Sequence, residues 1–380
     1  MTKFFRLDEL TYPEVARLPR ETPLILPLGE DFDEAALAQA LGGPDAVGWL
    51  PALPFGWAGS AVETPPTVFA GVAANLLGNL AEDGFTRALA LAPHGVGLPA
   101  SIPQLALPAA RVSGWLPADS EREKVVLAPI GHTEQHGRHA PLSTDTLIID
   151  AIGQGVARHA PHLAACLPVF PYGVSTHRRS FPGTFNVGGR AFEDFWLAVV
   201  DTLVGRGFTR FYLVSGHGGS CSFLVTVVKY AGERYPDIFC ATAWLYLTGP
   251  KGIAALEARR ESKIGGMGHA CELETSLVLA LRPELVHLER AVDELNFIST
   301  PSYYMDWIEG GALVANPPWD DDTPTGAYGA GSLATREKGE YWLEAAIDEK
   351  ADHVAEIHEQ YRRRRARRPG RIGPGGEQAP

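Results

Sequence analysis

Cysteine is scarce in this chain of 380 residues. The four thiols, Cys166, Cys221, Cys240 and Cys271, have no regular spacing and form no CxxC pair. That excludes a disulfide framework and fits reduced thiols in the cytoplasm. An apolar leader is missing too, since the opening residues include Asp8 and Glu9 where a signal peptide needs an apolar run. No stretch reaches the roughly 18 uncharged apolar residues of a membrane span. A soluble, cytoplasmic protein with no membrane partner is expected. Positive charge is in short supply: 33 Lys and Arg stand against 45 Asp and Glu, a net charge of -12. The tail from Arg362 holds seven Arg and one Glu, so residues 1–361 carry -18. A body this acidic excludes nucleic acid as the main partner.

Apolar residues are plentiful, at 45%, enough for a sizeable core. Short apolar runs alternate with segments of helical period. Val125–Ile130, Cys166–Phe170 and Phe211–Val214 read as buried parallel strands. Ala191–Arg206 reads as an amphipathic helix, with Phe192, Phe195, Leu197, Val199 and Leu203 on its apolar face. The alternation predicts an α/β fold: a mostly parallel sheet with helices on both faces.

The first hundred residues echo the next. Leu50-Pro51-Ala52-Leu53-Pro54-Phe55-Gly56 matches Leu167-Pro168-Val169-Phe170-Pro171-Tyr172-Gly173 at four of seven positions. Gly84-Phe85-Thr86-Arg87 is identical to Gly207-Phe208-Thr209-Arg210, and His94-Gly95 and His217-Gly218 follow at the same distance. Upstream, Leu26-Pro27-Leu28-Gly29 matches Ala128-Pro129-Ile130-Gly131. The order predicts an internal duplication. The copies differ in one place: 21 residues separate Gly29 from Leu50, and 36 separate Gly131 from Leu167. The first copy continues from Gly29 into a helix-like Glu34–Leu41 and lacks the extra loop. Its His94 reads as structural.

That extra loop is where the chemistry concentrates. Gly131-His132-Thr133-Glu134-Gln135-His136-Gly137 and then Ser143-Thr144-Asp145-Thr146 follow directly on a strand. Glu134, His136 and Asp145 offer mixed oxygen and nitrogen donors at a strand's carboxyl end, which suits a divalent metal. His217, at the end of another strand, is a further candidate ligand. Gly218 and Gly219 beside it allow close approach of metal or substrate. His269, Glu272 and Glu274 open an apolar helix over Leu277–Leu281, as base, ligand or supporting group, or as carboxylates favoured by the helix N-terminus. Gly173–Thr184, with His177, Arg178 and Thr184, reads as a polar substrate loop or as a solvated surface loop.

In this order Glu-Gln-His-Gly with its following Asp, Phe-Pro-Gly-Thr, Gly-His-Gly-Gly and His-Ala-x-x-x-Glu-Thr-Ser resemble the creatininase (creatinine amidohydrolase) family. The match runs from Val125 to Leu281 and resumes more weakly at Gly326–Gly329 and Ala334–Gly339. The resemblance implies a two-metal site, commonly zinc, with manganese or iron in some members. It would place Glu134 and His217 on one ion and His136 on the other, with Asp145 bridging. Where creatininase itself has a Glu for the second ion, this chain has Gly219, and Glu274 is the candidate replacement. Other departures are His132 for a usual Ser, Arg138 for Pro, Ser220 for Asn and Cys271 for Gly. Creatininase activity proper is therefore not expected.

Two divalent ions about 3.5–4 Å apart activate a shared water and stabilise an oxyanion at a carbonyl. His269 and Glu274 are the expected catalytic side chains, His269 as proton donor to the leaving group. The expected activity is metal-dependent hydrolysis of a small-molecule amide C–N bond. Alternatives are ring opening of a keto-cyclitol or peptide cleavage at the same site, and, in another class, a non-catalytic scaffold. A scaffold should have lost its ligands in both copies, and only the first copy lacks them. Relatives suggest a homo-oligomer. The expected organisation is a degenerate unit over 1–110, a linker over 97–120, a catalytic domain over 120–361 and a disordered basic tail over 362–380.

Overall fold

The computed structural model describes residues 1–111, 117–177, 180–308 and 310–368. The first part contains β1 (Lys3–Arg6), α1 (Tyr12–Ala16), β2 (Leu24–Pro27), β3 (Glu30–Phe32), α2 (Glu34–Ala40), β4 (Ala46–Trp49), α3 (Pro66–Glu82), β5 (Ala88–Pro93), β6 (Gln104–Leu107) and β7 (Ala109–Arg111). The second contains β8 (Val125–Ile130), α4 (Thr144–His159), β9 (Ala164–Cys166), α5 (Gly189–Gly205), β10 (Arg210–Ser215), α6 (Gly218–Arg234), β11 (Phe239–Thr242), α7 (Pro250–Arg259), β12 (Met267–His269), α8 (Glu272–Leu281), β13 (Tyr328–Gly329) and α9 (Arg336–Ala366). The expected α/β architecture is present. A five-stranded sheet has the order β1-β4-β2-β5-β6, a four-stranded sheet has the order β11-β10-β8-β9, and both are parallel throughout.

Side-chain alternation along these strands builds the layers. From β8, Val126, Ala128 and Ile130 enter a core shared with α3, α5 and the Leu24 and Leu26 face of β2. Val125 and Leu127 point the other way, into a core with α4, α8 and α9. A third, smaller core covers the outer face of the first sheet, where Ile25, Val47 and Leu91 meet Leu37 of α2. Helices α3 and α5 thus lie between the two sheets. Phe55, from the first part, packs against Phe170, Phe195 and Trp196 of the second. Asn75 of α3 donates to the Val187 carbonyl and Tyr172 Oη donates to the Pro51 carbonyl.

Three expectations need correction. The strand expected over Cys166–Phe170 pairs regularly only over Ala164–Cys166. Pro168 and Pro171 supply no N–H to the ladder, and pairing survives beyond as single bonds from Leu167 to Leu127 and from Phe170 to Pro129. The 97–120 linker contains β6, which extends the first sheet beside β5. The tail expected from 362 begins helical instead: α9 continues to Ala366, where Glu359 pairs with Arg362 and Arg363 one turn on. The rest of that expected tail, from 369, lies outside the described residues.

Candidate metal centre

Parallel strands open a crevice at their carboxyl ends, and the candidate residues gather at that end of β8 and β10. Strand β8 stops at Ile130 and the chain enters the Gly131–Gly137 loop; β10 stops at Ser215, with His217 just beyond. Asp145 sits in the first turn of α4, where the helix N-terminus favours a carboxylate. A side chain at Gly216 would overlap the Asp145 carbonyl, so glycine there lets α4 approach the end of β10.

The two oxygens of Asp145 face two different imidazoles. Oδ2 lies 3.3 Å from His217 Nδ1, and Oδ1 lies 3.1 Å from His136 Nε2. Glu134 Oε2 lies 2.9 Å from the same His217 nitrogen. Around this shared carboxylate stand two buried groups, His132, Glu134 and His217 on one side and His136, His269 and Glu274 on the other. Within each group the donor atoms lie within 4.8 Å of one another. Among the described residues Glu134 Oε2 and Asp145 Oδ2 are buried with no hydrogen-bond donor but the His217 Nδ1 that they share. Buried carboxylate oxygens require a partner, and a divalent cation meets that need for both.

Hydrogen bonds behind the site fix which nitrogen each ring presents. His217 Nε2 donates to the Val174 carbonyl at 3.0 Å, which leaves Nδ1 facing the carboxylates. His136 Nδ1 donates to the Glu134 carbonyl at 3.1 Å, which leaves Nε2. His269 Nε2 donates to the Gln135 carbonyl at 2.7 Å, which leaves Nδ1. Burial works against charge on every one of these groups. At His269 it prevails, lowering the imidazole to about 3. At His136 it is overcome by Asp145, which raises the imidazole to about 9. His136 and His217 in turn overcome burial at Asp145 and hold its carboxyl low. Burial raises Glu274 to about 7.

The other expected residues hold the site together. His177 Nε2 lies 2.8 Å from Glu134 Oε1, and its ring stacks on Trp319 at 3.8 Å. It was expected at a substrate; it stands behind a carboxylate. Thr184 Oγ1 accepts from the Gln135 N–H at 3.0 Å and is buried, so it too steadies the metal loop. Gly218 and Gly219 begin α6 beside His217. Arg178 lies outside the described residues. Glu272 is structural, bonded to Lys338 and to the N–H groups of Glu261 and Ser262.

Two contributions were missed. Trp319 also meets His269 edge-on at 4.8 Å, and nothing near it in sequence announces this. Chemistry was expected only after residue 120, yet the carbonyls of Asp8 and Leu10 accept from the N–H groups of Ser143 and Leu142, so the N-terminal segment braces the metal loop.

A family profile described as creatinine amidohydrolase matches residues 115–354. Creatinine amidohydrolase of Pseudomonas putida is 29% identical over 252 residues, 61% of this chain and 89% of that protein. The 3-dehydro-scyllo-inosose hydrolase of Thermotoga maritima is 29% identical over 256 residues, 62% of this chain and 78% of that protein. The mycofactocin precursor peptide peptidase of Mycobacterium ulcerans is 33% identical over 179 residues, 43% of this chain and 61% of that protein. Among solved structures, a manganese form of creatininase superposes with a TM-score of 0.53 at 26% identity, over 63% of this chain and 93% of that one. A zinc–zinc form of a creatininase variant gives 0.51 at 27% identity, over 62% and 92%. Among the described residues no helix is long and apolar enough to cross a membrane. With more than half of its length matched by the family profile, and with the buried carboxylate–imidazole pair at the ends of β8 and β10, this chain belongs to the creatininase family.

Proposed function

We propose that this protein is a two-metal hydrolase that cleaves an amide C–N bond in a small carbonyl compound. The observation that carries the reading is Asp145, whose two oxygens face imidazoles belonging to two separate buried groups. Glu134, Asp145 and His217 would hold one ion. Asp145, His136, Glu274 and His269 would hold the other, with Glu274 and His269 serving where Gly219 offers no carboxylate. Divalent ions there would supply an activated water and charge stabilisation at the carbonyl. His177 keeps Glu134 Oε1 occupied and so would leave Oε2 as the oxygen that holds an ion. His269 was expected as the proton donor; with its Nε2–H committed to the Gln135 carbonyl, it serves better as a ligand. Zinc or manganese fits this donor set.

Metal analysis of the purified protein is the test. Two equivalents of a transition metal per chain support the reading. None, with no uptake of added zinc or manganese, overturns it. Hydrolysis assays on cyclic amides and formamides, a cyclic keto-polyol and a peptide then discriminate the substrate class, because relatives bear names from all but the formamide group. We further infer that residues 1–110 arose as a copy of the catalytic unit. The order β4-β2-β5-β6 parallels β9-β8-β10-β11, which supports that origin. In this reading the first unit fills a contact that a neighbouring subunit makes in single-copy relatives. Light scattering tests it: assembly identical to that of such relatives argues against it.

A further inference from the structure

Two of the departures from the family pattern, His132 and Ser220, meet in space. His132 Nδ1 accepts the Gly173 N–H at 2.8 Å, and Ser220 Oγ accepts the Val174 N–H at 3.1 Å. These are consecutive peptides. The carbonyl of Val174 is the acceptor that holds His217 Nε2. The His132 and His217 rings also lie against each other, 4.2 Å between centroids. His132 and Ser220 are fully buried and His217 is nearly so. A side chain at Gly219 would come within 2.5 Å of both the Val174 oxygen and His217 Nε2. Any side chain at that position would crowd the same bond.

Resting on the two-metal reading, we propose that His132, Ser220 and Gly219 form a clamp on the Gly173–Val174 peptides that fixes the tautomer of His217 and so presents Nδ1 to the first ion. His132 is then a positioning residue and not a fourth imidazole in the coordination shell, although it lies within ligand distance of Glu134 and His217. The reason is proton placement. A nitrogen that accepts an N–H carries no proton, so neutral His132 bears its proton on Nε2 and has no lone pair there for a cation. That Nε2–H has no protein acceptor among the described residues. The clamp acts on one half of the site only. His136 and His269 are oriented by carbonyls of the Glu134–Gln135 loop instead.

The test uses the full chain with 15N-labelled histidine rings, metal-free and zinc-loaded, with His132→Ser and Ser220→Ala as variants. In the metal-free protein, ring 15N–1H correlations should show both His132 and His217 protonated at Nε2. In either variant the His217 Nε2 proton should exchange with solvent at least tenfold faster. Loss of a hydrogen bond behind a ligand costs about 10–100-fold in metal affinity, so the variants should bind one cobalt ion that much more weakly and the other unchanged. If His132→Ser fails to fold, Ser220→Ala decides alone. Unchanged exchange and affinity in a folded variant overturn the clamp. So does loss of the His132 Nε2 proton on zinc loading, which would make it a ligand. A wild-type protein that binds no metal defeats the two-metal reading, while the tautomer and exchange data still decide the clamp.

Discussion

At the carboxyl end of β2 the chain turns through Gly29, makes the short strand β3 and enters α2 at Glu34. At the carboxyl end of β8 it turns through Gly131, runs through Glu134 and His136 and enters α4 at Thr144. The strands on either side of these turns follow the same order in both sheets. In the two-metal reading scaffold and chemistry separate: the parallel sheet supplies a crevice, and the loop after β8 would supply Glu134 and His136, joined by His217 from the end of β10 and by His269 and Glu274 from β12 and α8. The first crevice is not featureless. A cavity of about 830 Å³ opens there, lined by Glu30, Asp31, Glu34, Trp49 and Asp150 among others, but among the described residues no imidazole lines it. Carboxylates without histidine and without a shared buried Asp do not reproduce the second site.

The sharpest way to break this comparison is to remove Asp145. Asp145→Ala should abolish binding of both ions, whereas Asp31→Ala should leave metal content unchanged. Several kcal/mol of charge stabilisation goes with the ions, so hydrolysis should fall by about 10³-fold or more. Metal analysis and turnover of the best substrate measure both. Next in size is the shared core. Phe55 is buried from the first part against aromatics of the second, and Phe55→Ala should cost about 3–5 kcal/mol. Denaturant unfolding should show one transition; a separate early transition for the first sheet would argue that the parts fold independently.

A third expectation concerns pH. In the proposed ligand set the second ion would need Glu274 ionised and His136 neutral. Glu274 is raised to about 7 and His136 to about 9. Loading the second ion should release two protons near pH 6 and one near pH 8, and its affinity should fall about a hundredfold per pH unit below 7. In the metal-free protein the raised Glu274 contributes stability that is full below its ordinary value of 4.5 and is lost as pH rises through about 7. Calorimetry in buffers of different ionisation heat counts the protons, and a pH-independent affinity would refute the ligand role of Glu274. The smallest effect is at α2. Asp33 caps that helix through the N–H groups of Ala35 and Ala36, so Asp33→Ala should cost about 1 kcal/mol with metal content intact, as read from thermal melts and metal analysis.

Strands β8 and β10 were legible because each is an unbroken apolar run, the mark of a strand buried on both faces. The cluster of Glu134, His136 and Asp145 was legible as a candidate because these donors sit close in sequence, in a stretch longer than the one that follows Gly29. Strand β6 was not, since a half-exposed Gln104–Leu107 amid prolines looks like linker until β5 pairs with it. Nor was the role of His177. A histidine in a polar loop carries no local sign of whether it will meet substrate or Glu134, and that contact spans 43 residues of chain. The same holds for Asp8 and Leu10, whose carbonyls brace a loop more than a hundred residues away. His132 was visible only as an oddity, because its meaning lies in which of its nitrogens the Gly173 peptide occupies.

The packing of α3 against α5 has a consequence for dilution. Two sheets on separate chains would meet at a rate and occupancy set by protein concentration. Joined in one chain, they meet at an effective concentration fixed by the connection between them, and Asn75 finds Val187 however thin the solution. The first sheet therefore keeps its place beside the second at any dilution, and the segments after its strand ends, at Asp8, Leu10 and Pro51, stay in reach of the groups they accept from.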